Sequence, residues 1–437
     1  MKKCLIITYY WPPAGGSGVQ RWLKFVKYLR EYGYEPVVYT PLDPEFMAMD
    51  RDLLKEIPEG ISVIKRKIIE PYSLYKLLTG KKGQQIKPGF IADSSDGKMI
   101  PTKESVSLFI RSNFFIPDPK CFWIRPSVKF LKKYLKNNQV DAIISTGPPH
   151  SMHLIAQKIA KGKTPSDNIP WLADFRDPWT RMYNFKYMNN TKFVDAIHKR
   201  MEKSVVQQAD AVVVVTNVMK EEFLELNPKR IEVITNGFDH EDFKETPEFL
   251  EENFTITYTG LFVKDRNPGE FWKMLGQKVT ADSSFAKDLR IRIIGQTDNT
   301  VWESITANGL DNNLVKMDYM PHSQVIKWQQ RAWVLLLAGG QEPEAKGILT
   351  GKFFEYLASR RPIIGFGPLG GDMDIALRNS EAGEMFDYKD FSGPQKWIDN
   401  QYNLFKEGTI SKTSGKIEDY SRKGLCKKMA QVLDEMS

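Results

Sequence analysis

The sequence predicts an α/β protein built from two Rossmann-like domains facing across a cleft. Three observations carry that expectation. At 437 residues the chain is longer than one typical core organises. Both halves alternate short apolar runs with helical patterns, the mark of parallel sheets. Between the halves, residues 236–253 are polar and acidic and include Pro247, as an interdomain linker would.

In the first half, apolar runs predict strands at 4–8, 35–39, 61–65, 142–145, 171–173 and 211–215. Helical spacing fills 20–32, 126–136, 151–160, 193–208 and 218–226. In the second half, strands are expected at 255–259, 290–294, 315–317, 334–338 and 362–365, with helices at 269–277, 300–308, 322–332 and 351–359. A last helix over 420–435 is expected to cross back onto the first domain. That gives a first domain of 1–237 plus about 418–437 and a second of 250–417. Residues 71–119 break the alternation with glycines and prolines, and read as an inserted surface excursion.

Composition narrows the function classes. Cys4, Cys121 and Cys426 have neither metal nor redox spacing, so no disulfide framework is implied and a reducing cytoplasm fits. The opening run reads as a buried strand, not a signal peptide, and Trp333-Val-Leu-Leu-Leu-Ala338 is too short to span a bilayer. Charge is uneven: residues 61–140 hold 16 Lys+Arg against five Asp+Glu, a local +11, so the rest of the +8 chain sums to about −3. The same window holds Phe114, Phe115, Phe122 and Trp123, and lysines beside exposed aromatics suit an anionic membrane surface. The plain alternative is that the rings are core and the lysines a solvated face. No basic motif of known spacing points to nucleic acid.

Chemistry concentrates in Gly347-Ile-Leu-Thr350-Gly351-Lys352-Phe-Phe-Glu355, a loop opening a short helix. Lys352 and Glu355, three apart, project from one face. The helix start favours an anion, the lysine meets a phosphate, and the carboxylate accepts from vicinal ribose hydroxyls. The pairing suits a nucleoside diphosphate; an exposed helix start with an i,i+3 ion pair is the simpler alternative. Four further places stand out. Gly15-Gly16-Ser17-Gly18 follows the first strand, and lacks the G-x-G-x-x-G spacing of a dinucleotide site. Ser145-Thr-Gly-Pro-Pro-His150 ends another strand, and His150 is the histidine best placed to touch a substrate. Asp174, Arg176 and Asp177 crowd one strand tip, where three ionised groups are not expected to be core; a local ion-pair network is the plain alternative. Asp372 and Asp374 form an Asp-x-Asp pair read as a helix cap, not a metal site. His153, His198, His240 and His322 lack metal spacing and read as structural.

The Gly347–Glu355 segment also resembles the donor-nucleotide motif of retaining GT-B glycosyltransferases of family 4. The opening Tyr9-Tyr-Trp-Pro-Pro-Ala-Gly-Gly-Ser-Gly18, the stretch 145–150 and Asn236-Gly-Phe-Asp239 are similar to other family landmarks, in family order across nearly the whole chain. The resemblance implies a GT-B architecture and a retaining, metal-independent transfer from a nucleotide-sugar donor. Arg266 and Lys352 would clamp the donor diphosphate and Glu355 hold its ribose, with Thr350, Gly351, Gly260 and Lys264 around them. The acceptor, a glycan or a lipid-linked sugar, would lie against Gly15–Gly18, His150, Asp174, Arg176 and Asp177, and domain closure would exclude water. No cofactor or metal is expected. The setting would be surface polysaccharide or glycoconjugate assembly in the cytoplasm, peripheral at the inner membrane face if the basic window is exposed.

Three positions depart from the family pattern. Many members carry two glutamates separated by seven residues; Glu355 is the second, and Gly347 stands at the first, with Glu342 and Glu344 just upstream. Leu261 stands where arginine is common, and Arg176 near where many place a histidine. A degenerate, non-catalytic nucleotide-sugar binder and a sugar-nucleotide epimerase of the same architecture are the rival readings. A two-lobed binding protein for free sugar is a third, from another class.

Overall fold

The strand Lys2–Ile7 (β1) buries its last four residues completely and stands near the centre of a parallel sheet. The computed structural model describes residues 1–44, 49–70, 109–110, 112–162, 168–182, 185, 188, 190–243, 250–409 and 415–436. Its contacts divide the chain into two compact units, Met1–Thr235 with Cys426–Ser437, and Asn236–Leu425.

The first unit adds Tyr34–Leu42 (β2), Ser62–Lys67 (β3), Ala142–Gly147 (β4), Trp171–Phe175 (β5), Ala211–Val214 (β6) and Ile231–Val233 (β7). Every pairing is parallel, in the order β3-β2-β1-β4-β5-β6-β7. Near-continuous apolar runs such as β4 and β5 are buried along their whole length, as strands covered on both faces require. The covering helices include Ser17–Leu29 (α1), Ile124–Leu135 (α2), Ser151–Ala160 (α3), Lys192–Gln208 (α4) and Asn217–Leu224 (α5).

The second unit repeats the plan with Phe254–Thr259 (β8), Leu289–Ile294 (β9), Leu314–Met317 (β10), Val334–Ala338 (β11), Ile363–Phe366 (β12) and Gly383–Phe386 (β13). Their order is β10-β9-β8-β11-β12-β13, again all parallel. Its helices include Gly269–Ala281 (α6), Ser283–Asp288 (α7), Asn299–Ala307 (α8), His322–Arg331 (α9), Gly351–Ala358 (α10), Asp372–Ser380 (α11) and Ser392–Lys406 (α12), and Arg422–Glu435 (α13) ends the fold. In each sheet the strand order reverses beside the first strand of the unit. Ligands of open α/β sheets collect at the carboxyl ends of the strands there.

The predicted α/β class holds, and each predicted strand is present within two or three residues. The edge strands β7 and β13 and the helices α7 and α12 went unpredicted, while α11 begins at Asp372, where the Asp-x-Asp pair was read as a helix cap. Cys4 and Cys426 are buried, Cys121 is partly buried, and none forms a disulfide. Most of the expected insertion, 71–108, lies outside the described residues. Within the basic window, Trp123 is 1% exposed and stacks on Tyr39 at 5.0 Å, so it belongs to the core and not to any surface. Phe114 and Phe122 are exposed. Among the described residues, no helix is long and apolar enough to cross a membrane.

Candidate nucleotide-binding site

The carboxyl ends of β8, β9 and β10 are stitched together by glycine. Gly260 has φ +91° and its N–H donates to the Ile294 carbonyl at 2.8 Å; Gly295 has φ +119° and its N–H donates to Met317 at 3.0 Å. A Cβ on Gly295 would lie 2.8 Å from the Gly260 carbonyl oxygen, so neither chirality nor space admits a side chain. The turns leave a cavity of about 290 Å³ whose lining includes Gly260, Gly295, Tyr319, His322, Lys352 and Glu355. That volume is close to the lower end for a small-molecule site.

The cavity is asymmetric in charge. Lys352 Nζ lies 3.6 Å from the centre of the Tyr258 ring. Burial, then the nearby Arg266 charge, lower its pKa to about 7, against a smaller opposing pull from Glu355. Arg266, on the short turn Lys264–Arg266, has a buried Nε without a partner. Arg266 is near enough for its charge to act on Lys352, but neither it nor Thr350 is part of the cavity wall; an anion at Lys352 would relieve the repulsion between the two cations. The amino end of α10 adds the positive pole of a helix. Thr350, immediately before α10, makes no capping bond, and its Oγ1 is buried without a partner. Lys264 is exposed and is not part of the cavity wall.

Glu355 is held from two sides. His322 Nε2 lies 3.0 Å from Oε1, and Gln329 Nε2 donates to Oε2 at 3.1 Å. Gln329 is fully buried and also donates to Thr259 Oγ1, while its Oε1 accepts from Ser359 Oγ at 3.3 Å; that fixes which end of the amide faces Glu355. These bonds and the Lys352 charge outweigh burial and keep the carboxyl below its usual pKa, so it is ionised. The alternative of a simple Lys352–Glu355 ion pair does not describe this site: the partners of the carboxylate are His322 and Gln329. Sequence reasoning missed His322, because only metal spacing was sought in the histidines. Its place at the first position of α9, after Pro321, was the available signal.

In the first unit, the chemistry-bearing residues gather around Arg176. Its Nη1 donates to the Gly18 carbonyl at 3.0 Å and its Nη2 to the Pro148 carbonyl, tying the loop after β1 to the loop after β4. A Cβ at Gly18 would come 2.7 Å from Arg176 Nη1, so a side chain there would have to displace the guanidinium. Gly16, φ +91°, caps α1, and Ser17 begins it. His150 is 7% exposed and stacks on Trp179 at 4.4 Å; burial, with the neighbouring charges, depresses its pKa, so the ring is neutral. Asp177 is exposed.

Asp174 corrects the expectation that this tip lies outside the core, and bears out the alternative of an ion pair. It is 0% exposed and accepts from Arg21 Nη2 at 2.8 Å, Trp22 Nε1 at 2.7 Å and Thr146 Oγ1 at 2.8 Å. Arg21 in turn donates to the carbonyls of Ile234 and Thr235. This is a satisfied core ion pair, and the carboxylate is not offered to a ligand. Asp372 is not a cap either: Gly371 precedes α11, and Asp374 accepts from the Gly370 N–H at 2.7 Å and from Arg378. Among the described residues, no group of three or more His, Cys, Asp or Glu is placed to hold a metal ion.

Residues 87–242 match the family model described as Glycosyltransferase Family 4. Over that third of its length the chain is similar to glycosyltransferase family 4. The expected resemblance is therefore shown, although the Lys352–Glu355 motif lies beyond the matched residues. Solved structures place both units in one GT-B fold. Sucrose-phosphate synthase from Thermosynechococcus elongatus aligns with TM-score 0.55 and 12% identity over 100% of this chain and 99% of that one. A variant of S. aureus TarM, in complex with Fondaparinux, alpha-GlcNAc-glycerol and UDP, aligns with TM-score 0.54 and 12% identity over 99% of this chain and 100% of that one. Anabaena HepE in complex with UDP-glucose gives TM-score 0.50 and 11% identity over 100% and 98%. At these identities the chain shares a fold with them, and that alone. Compared by sequence with curated proteins, it finds no match.

Proposed function

We propose that this chain is a retaining, metal-independent glycosyltransferase that takes a nucleoside-diphosphate sugar in the cavity of the second unit. One observation carries the reading: Lys352, Glu355 and the Gly260 turn, singled out by sequence, line one cavity. As the sugar bond breaks, negative charge develops on the leaving diphosphate. Lys352, Arg266 and the N-terminus of α10 at Thr350 and Gly351 stabilise that charge in place of a metal. Glu355 receives the ribose hydroxyls, since a carboxylate has lone pairs beyond the two that His322 and Gln329 engage. UDP is the first nucleotide to test, because the HepE and TarM structures hold UDP-glucose and UDP.

The acceptor is a glycan or lipid-linked sugar received by the first unit at Gly15–Gly18 and Asp177. Arg176 acts there by fixing the loops of Gly18 and Pro148, and His150 by packing beneath them. By analogy with the family, the process is surface polysaccharide or glycoconjugate assembly, in the cytoplasm and peripheral at the inner membrane face. The test is transfer from labelled nucleotide sugars with EDTA present, with the product's anomeric configuration read by NMR. Retained configuration, lost in Lys352→Ala, supports the proposal. Nucleotide binding without transfer to any acceptor favours a non-catalytic nucleotide-sugar binder, the reading that Leu261, 54% exposed, and Gly347 recommend.

A further inference from the structure

The first unit presents an apolar, cationic face that donor chemistry leaves unused. Phe114 is 70% exposed, Phe122 52%, Phe193 75% and Ile110 46%. These side chains come from segments fastened to one another. Phe115 packs edge-on against Phe122 at 5.9 Å, and Asn113 Oδ1 accepts the Thr191 N–H at 2.8 Å. Thr191 caps α4, whose first two residues are the exposed Lys192 and Phe193.

Helix α2 follows these rings along the chain and carries charge. It begins two residues after Phe122, and Arg125, Lys129, Lys132, Lys133 and Lys136 along it are all exposed. Spacings of three and four place them in one stripe. No Asp or Glu lies between Asp118 and Asp141, and Asp118 is occupied by the backbone N–H and hydroxyl of Ser151. Exposed rings alone mark an interaction surface of unspecified kind. Rings beside a basic stripe free of carboxylates complement a surface that is apolar beneath and anionic on top.

We propose that this face seats the protein on an anionic lipid surface. Phe114, Phe122 and Phe193 enter the boundary between headgroups and acyl chains, and the α2 stripe lies over headgroup phosphates. This deepens the proposed function and rests on it only in that a lipid-linked acceptor gives the docking a purpose. Phe193 and Lys192 join the face through folding, far in sequence from the basic window.

The experiment is co-sedimentation of the full chain with vesicles of phosphatidylglycerol and phosphatidylcholine, and with phosphatidylcholine alone. The wild type binds the anionic vesicles, and added salt weakens that binding. Phe114→Ser/Phe122→Ser/Phe193→Ser and, separately, Lys129→Glu/Lys132→Glu/Lys133→Glu each lower the partition by roughly tenfold or more. A UDP-induced thermal shift, read on every variant, reports fold and donor site independently of lipid. No binding by the wild type, equal binding to neutral vesicles, or unchanged binding by both variants overturns the proposal. Absence of a UDP shift in every form would count against the donor reading and leave the vesicle result standing.

Discussion

Lys352 Nζ sits 3.6 Å above the centre of the Tyr258 ring, between a strand end and a helix start. The same ring stacks on Phe262 at 3.8 Å, so the lysine rests on a rigid floor. Tyr258 thus fixes where the amine lies, and burial together with Arg266 makes that amine hold its proton weakly.

The proposed nucleotide binding would therefore be coupled to protons. Lys352 falls from 10.5 to about 7 in the unliganded protein, and a diphosphate beside it raises it again. At pH 8 binding should take up close to one proton, and below pH 6 almost none. Calorimetry in buffers of different ionisation heat measures this directly; zero uptake at pH 8 contradicts the site. In the free protein the unfolded chain binds more protons between pH 7 and 10.5, so this residue makes stability rise with pH across that window. Lys352→Met should flatten that slope.

Glu355→Ala should weaken UDP binding by roughly 10- to 100-fold, the worth of about 1.5–3 kcal/mol in charge-assisted hydrogen bonds. Circular dichroism should remain that of the wild type. His322→Ala should weaken binding less, and His322→Gln should restore part of it by donating to the same oxygen. Unchanged affinity in Glu355→Ala would remove the ribose assignment.

The glycine turns separate steric from conformational cost. Gly260→Ala meets only the Lys352 side chain, at 3.5 Å, and bears the strain of φ +91°; Gly295→Ala adds a backbone clash at 2.8 Å. Each positive-φ substitution should cost about 1–3 kcal/mol, with Gly295→Ala the worse in denaturant titrations. Equal losses would mean the β9 turn relaxes freely.

Asp174 and Arg21 are both fully buried and paired at 2.8 Å. Asp174→Ala should cost about 3–5 kcal/mol, because it strands a buried guanidinium. Burial raises the carboxyl pKa, but the Arg21 charge and the bonds from Arg21, Trp22 and Thr146 outweigh it and hold the pKa below 3.8. Its stabilisation is thus present at neutral pH and lost only as the pH falls through that depressed value. A variant as stable as the wild type would contradict this role.

Strand and helix alternation was legible because buried parallel strands are written as continuous apolar runs. The short edge strands Ile231–Val233 and Gly383–Phe386 carry weaker runs and escaped notice. That Lys352 and Glu355 line one cavity was legible because sequence spacing and a helix start already bring them together. His322 and Gln329 lie on another helix, and only the fold carries them to Glu355. Asp174 misled for the converse reason: its partners Arg21, Trp22 and Thr146 are distant in sequence, so a core ion pair read as a charged tip outside the core.

The most direct measurement is thermal stability with UDP, GDP, ADP and CMP, each with and without EDTA. A ligand at 100 times its dissociation constant adds about 2.7 kcal/mol, a readable shift. The account predicts that a nucleoside diphosphate raises the melting temperature equally with and without EDTA, and that Lys352→Ala abolishes the rise. No shift with any nucleotide, or one that vanishes with EDTA, would contradict a metal-independent donor site at Lys352 and Glu355.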